Sequence, residues 1–116
     1  MSRTAEIKVL IDLDGDNLPT RIEWQATEAE DPGPAACQLL MLSLWDSEKK
    51  TAAAIDLWTK DTTIDDMNLH FYQMFHKMAD TYLRATNNPE MAKQIHEFGD
   101  GFGSTLGLSR NGSETT

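Results

Sequence analysis

A chain of 116 residues is one domain's worth of sequence, and 40% hydrophobic with 25% charged residues is an ordinary globular balance, which excludes disorder throughout. Nineteen acidic against ten basic residues leave a net charge of −9, a surface that a nucleic-acid backbone or an anionic membrane would repel. No apolar run approaches the ~20 residues that span a bilayer, the opening MSRTAEIKVLIDLD lacks a signal peptide's apolar stretch, and the single cysteine, Cys37, has no internal disulfide partner. These features predict a cytoplasmic protein with no nucleic-acid partner and no membrane insertion.

Glu6–Asp14 and Arg21–Thr27 alternate with a period of two and read as strands, joined by a turn at Gly15-Asp16-Asn17-Leu18-Pro19. Trp24 shares a face with Ile22 and Ala26 and is expected in the core. An acidic segment, Thr27–Pro34, then interrupts regular structure. A third strand is expected over Ala36–Asp46 and a fourth over Ala52–Thr59, around the loop Ser47-Glu48-Lys49-Lys50. Pairing Asp46 with Thr51 sets Leu39 opposite Trp58, Met41 opposite Asp56 and Trp45 opposite Ala52. Leu40, Leu42, Leu44, Ile55 and Leu57 then form the expected core face, and Leu39, Met41, Trp45 and Trp58 the other.

Thr62 or Thr63 can cap a first helix reaching about Ala85, with Asp65 and Asp66 beside its positive start. Asn88-Pro89 starts a second helix, with Met91, Ile95, Phe98, Phe102 and Leu106 as its stripe. Gly99, Gly101 and Gly103 either break that helix or permit close packing. The order predicts an α+β fold: a four-stranded antiparallel sheet followed by two C-terminal helices packed on one face. Residues 1–108 are expected as a single domain and 109–116 as a disordered polar tail.

Chemistry is sparse. Asp12, Asp14, Asp16 and Glu23 imitate a calcium loop, but Asn17 and Pro19 stand where the loop needs other residues, and the flanks are strands. His70, Met67, Met74 and Met78 share a helix with Phe71 and Phe75, so the methionines read as core filling before copper ligands. His76 and His96 show no cysteine or acidic partner at a zinc-motif spacing. No nucleophile elbow, phosphate loop or dinucleotide fingerprint is present, and Cys37 in an apolar strand packs more readily than it reacts. The expectation is a non-enzyme with no cofactor and no metal. The informative residues are Leu39, Met41, Trp45 and Trp58, which place large apolar groups where a solvated sheet face carries polar ones. Such a face asks for a covering: a second copy, a different protein or the acidic loop as a lid.

The phrases Met41-Leu42-Ser43-Leu44-Trp45-Asp46 and Ile55-Asp56-Leu57-Trp58-Thr59-Lys60-Asp61 resemble those of the gliding-motility protein GldC family. Pro19–Ala26, Asp65-Asp66-Met67 and Met78–Thr86 extend the likeness over about residues 6 to 108. The resemblance implies a small soluble accessory protein linked with a gliding apparatus, without catalytic residues to carry over. The apolar face of Leu39, Met41, Trp45 and Trp58 adds the expectation of a protein partner in a motility or envelope machinery and of self-association. The element order also resembles the SecB export chaperone, which makes a holdase for unfolded segments one alternative. A small-ligand or calcium module on the Asp12–Glu23 hairpin is another.

Overall fold

The computed structural model describes residues 2–31 and 33–108; the expected tail over 109–116 lies outside the described residues. The alternating residues of β1 (Ile7–Leu13) and β2 (Pro19–Ala26) pair antiparallel, from Ile7 opposite Ala26 to Asp12 opposite Arg21. Asp14 organises the turn between them. Its Oδ1 accepts the N–H groups of Asp16 at 2.8 Å and Leu18 at 3.1 Å, and Asn17 takes the left-handed conformation at φ 63°. Asparagine visits that region more readily than most residues. Ile22, in the middle of β2, is fully buried, and Trp24 is half-buried between Val9 and Ala35.

The expected third strand is two strands. β3 (Ala35–Cys37) pairs with β2, and β4 (Leu39–Asp46) pairs with β5 (Thr51–Trp58). The chain therefore has two separate antiparallel sheets, one of three strands in the order β1-β2-β3 and one of two, where a single four-stranded sheet was expected. The switch happens at Gln38, whose carbonyl accepts the N–H of Thr59 at 2.8 Å and the hydroxyl of Thr62 at 3.2 Å. One residue thus turns the chain from one sheet into the other, as strands that bridge two sheets do at bends. Thr59 is buried and its hydroxyl lies 2.6 Å from Asp61 and 2.9 Å from Thr62, while Lys60 N–H binds the Pro19 carbonyl at 3.0 Å. These contacts anchor the end of β5 to the start of β2.

The β4–β5 register is the expected one throughout: Leu39 faces Trp58, Met41 faces Asp56, Trp45 faces Ala52 and Asp46 faces Thr51. Its four-residue loop is held by Asp46 Oδ1, which accepts from Glu48 at 3.0 Å and Lys49 at 3.1 Å, and closes through Lys50 at φ 56°.

Two helices follow, α1 (Ile64–Thr86) and α2 (Pro89–Leu106). Thr63 caps α1 by accepting the Asp66 N–H at 3.0 Å, and Asp65 and Asp66 occupy its first turn. Asn87 ends it in the left-handed conformation; Asn88 caps α2 through the Met91 N–H at 3.1 Å, with Pro89 at its first position. Two residues therefore reverse the chain, which makes the helices antiparallel neighbours. α2 runs unbroken through its glycines. Gly99 and Gly103 are buried, and a Cβ at Gly103 would stand 2.9 Å from Cδ1 and Cζ of Tyr72, itself almost wholly buried. Phe75 meets Phe98 and Phe102 edge-on at 5.1 and 5.2 Å, and Ala79 and Ala92 are buried. Small residues let the backbones approach and the aromatic edges fill what remains.

Residues divide into two compact units, Met1–Thr62 with both sheets and Thr63–Thr116 with both helices.

Candidate functional site

The four residues singled out in the sequence lie together on one face of the β4–β5 hairpin, because directly opposed residues of an antiparallel pair point the same way. Leu39 and Trp58 sit side by side at the open end; Trp45 lies near the loop, six residues along β4 and so about 20 Å away. Met41 lies between them opposite Asp56. Leu39 is half-buried, whereas Met41 is 44%, Trp58 51% and Trp45 64% exposed. Beside Trp58 a groove of about 350 Å3 opens, walled by Leu18, Pro19 and Leu57 and edged by Asp56 and Lys60.

The opposite face differs from its expectation. Leu42, Leu44 and Ile55, read as core, are exposed, and only Leu40 and Leu57 are half-buried. Both faces of this hairpin therefore carry apolar side chains in water. A two-stranded hairpin is marginal by itself and gains stability from a covered apolar face. Its local charge is nearly balanced, with Asp46, Glu48 and Asp56 set against Lys49 and Lys50, although the whole chain carries −9.

In the calcium-like hairpin, Asp14 and Glu23 are otherwise engaged. Asp14 Oδ2 receives Lys60 Nζ at 2.8 Å, and Glu23 pairs with Arg21 on its own strand. The Lys60 hydrogen bond, aided by the N–H groups of Leu18 and Asp16, pulls the Asp14 carboxyl down to about 2. Cys37 is half-buried and burial pushes its thiol up, away from the nucleophilic thiolate. Burial lowers the basicity of His70, whose Nε2 has no hydrogen-bond partner and whose ring meets Phe71 edge-on. Among the described residues no group of three or more His, Cys, Asp or Glu side chains is arranged to hold a metal ion.

One cluster escaped the sequence reading. His76 on α1 and His96 on α2 touch, and each ring also meets an aspartate of the other helix. The signal was the spacing His-x-x-x-Asp, present in both helices as His76/Asp80 and His96/Asp100, which puts each aspartate one turn beyond its histidine.

No helix among the described residues is long and apolar enough to cross a membrane. Residues 19–108 match the family model described as gliding motility-associated protein GldC-like; β1 precedes the matched span. No curated protein and no solved structure matched the chain.

Proposed function

The chain belongs to the gliding motility-associated GldC-like family, and we propose that it works there as a non-enzymatic accessory protein, through protein–protein contacts made by the β4–β5 hairpin. The observation that carries this reading is the open apolar face of Leu39, Met41, Trp45 and Trp58, with two tryptophan anchors at its ends. Tryptophan is the side chain most enriched at interface hot spots, because it supplies large area at little conformational cost. The 51% of Trp58 left in water, out of the roughly 150–250 Å2 such a ring buries, is worth about 2–3 kcal/mol at ~25 cal/mol/Å2. The groove beside it offers a seat for a partner side chain, and the net charge of −9 would speed the approach of a basic partner. Self-association through the same hairpin is part of the proposal, since both faces carry exposed apolar side chains among the described residues.

The test is capture from the native host with the wild-type chain and with the Trp45→Ala/Trp58→Ala variant, both shown to be folded by circular dichroism. Alongside, the mass of each purified chain in solution is measured by sedimentation. One or two stoichiometric partners lost with the variant are the expected result, and Trp58→Ala alone should weaken the contact by ~2 kcal/mol or more. Equal binding by wild type and variant would remove this face from the function. Many substoichiometric clients would favour a holdase that grips unfolded segments, a reading that the exposure of both hairpin faces also supports.

A further inference from the structure

We propose that the outer edge of β4 pairs antiparallel with the same edge of a second copy of this chain, about a two-fold axis at Ser43, to make one four-stranded sheet. The inference rests on the reading that the β4–β5 hairpin self-associates, and it names the contact. The ladder shows which backbone groups are free for it. The Thr59 N–H donates to the Gln38 carbonyl, its direct opposite when the β4–β5 register is continued, so these two residues form a hydrogen-bonded pair. Such pairs alternate along an antiparallel ladder. Leu40, Leu42, Leu44 and Asp46 therefore turn their N–H and carbonyl groups toward β5, while those of Met41, Ser43 and Trp45 point outward. Lys60 is an outward residue of β5 by the same count, and its N–H goes to the Pro19 carbonyl. Within its sheet β4 pairs with β5 alone, and among the described residues the outward backbone groups of Met41, Ser43 and Trp45 have no other hydrogen-bond partner.

An open edge strand is ordinarily blunted by a lysine, a proline or a bulge. β4 reads Leu-Leu-Met-Leu-Ser-Leu-Trp-Asp, with its one charge at the end and its register unbroken, so it carries none of these devices. Its own sequence is a fitting partner. Outward groups must meet outward groups, so odd-numbered residues of one copy face odd-numbered residues of the other. In the register centred on Ser43, Ser43 faces itself, Met41 faces Trp45 and Leu42 faces Leu44, the last two pairs each formed twice by symmetry. Small serines then sit at the axis, and each methionine sulfur lies against an indole ring, a favourable contact. A register centred on Leu42 would need the Leu39 N–H, which already donates to the Cys37 sulfur; one centred on Leu44 leaves Met41 facing the loop residue Ser47. Charge does not oppose the pairing, although the chain carries −9. The two Asp46 residues lie six positions apart along the new ladder, about 20 Å, beyond the ~8 Å over which exposed charges act at physiological ionic strength. Each Asp46 Oδ1 is also held by the N–H groups of Glu48 and Lys49 in its own loop. Met41, Leu42, Leu44 and Trp45, all exposed in the single chain, are the side chains brought together, and a marginal two-stranded hairpin becomes part of a four-stranded sheet. A surface that pairs with itself closes at two copies.

Sedimentation of the full-length chain should show two copies per particle, dissociating on dilution. Ser43→Pro removes an outward N–H and no β4–β5 bond, a place where an edge strand tolerates proline. It should keep the circular dichroism of the wild type and sediment as one copy. Cysteine variants are made in a Cys37→Ser background, which keeps an acceptor for the Leu39 N–H. There Ser43→Cys should form an intermolecular disulfide under mild oxidation, because hydrogen-bonded partners have Cα atoms about 5.5 Å apart, inside the range that a disulfide spans. Ala54→Cys, on β5, should stay unlinked under the same conditions. A wild-type chain that sediments as one copy at every concentration would overturn the proposal. So would a folded Ser43→Pro chain as dimeric as the wild type, or Ala54→Cys linking as readily as Ser43→Cys. The cross-link keeps the test decisive where the proline variant does not fold. Failure here is separable from failure of the face reading. A single-copy chain that captures a partner lost with Trp58→Ala leaves the tryptophan face standing without the edge; a Ser43-linked dimer whose capture is indifferent to Trp58→Ala leaves the edge standing without the face.

Discussion

Alanine at Gly101 and at Gly103 should change stability in opposite directions, although the two positions are two residues apart in one helix. Nothing lies within 4 Å of a Cβ built at Gly101, so Gly101→Ala adds only helix propensity, about 0.8–1.0 kcal/mol in favour of the fold. At Gly103 the same gain meets the Tyr72 ring, whose Cδ1 and Cζ would be 2.9 Å from the new methyl. Tyr72 is only 3% exposed and has little space into which to retreat, and overpacking of this kind costs about 1–3 kcal/mol. Gly103→Ala should therefore end between neutral and about 2 kcal/mol less stable, with the two variants differing by about 1–3 kcal/mol. Gly99→Ala, with its methyl 3.1 Å from His76 Nε2 and Phe75 Cβ, should fall between them. Urea denaturation of the full chain followed by helical circular dichroism measures all three, and Tyr72→Leu added to Gly103→Ala should recover part of the loss. Equal stabilisation at Gly101 and Gly103 would refute the close approach of α2 to Tyr72.

Lys60→Met removes the largest influence on Asp14 but leaves the N–H donors of Asp16 and Leu18, so the carboxyl should rise from about 2 toward, without reaching, its ordinary 3.8. A depressed carboxylate stabilises the fold above its unfolded value and loses that contribution as pH falls through the folded one. The stability gap between wild type and Lys60→Met should thus close on acidification, with carbon-detected NMR of Asp14 as the check; an unmoved Asp14 titration would show that the ion pair does not form. Burial lowers the basicity of His70, so the unfolded chain binds its proton first and the fold loses stability as pH drops below the ordinary histidine range, ~6.5. His70→Phe should pull ahead of wild type progressively through that range in chemical denaturation, and a constant difference would contradict the lowered basicity of the ring. Thr63→Ala should cost about 1 kcal/mol by leaving the Asp66 N–H without its cap; a change within error would mean the cap is replaced by water at no loss.

Local rules made much of this protein legible in its sequence. Thr63, the Asn87-Asn88-Pro89 junction and the alternating residues of β1 and β2 specify their elements through neighbours a few positions away. The β4–β5 register followed from one loop length and from the side chains that it sorts onto two faces. The same patterning gathered Leu39, Met41, Trp45 and Trp58 before any coordinates were needed. The family followed from the tryptophan phrases themselves.

Tertiary structure decided what depends on contacts between distant segments. Gln38 looks like any residue of an apolar strand, and only the Thr59 and Thr62 groups that claim its carbonyl reveal that the chain changes sheets there. Whether Gly103 breaks α2 or admits a neighbour depends on Tyr72, a partner 31 positions away that helix propensity does not see. The exposure of Leu42, Leu44 and Ile55 likewise departs from a pattern that fixes which residues share a face but not what covers it. Two His-x-x-x-Asp spacings are unremarkable apart; the reversal at Asn87 and Asn88 brings their helices side by side and sets the two imidazole rings in contact. Periodicity is a property of a segment, whereas a contact between two helices belongs to their packing.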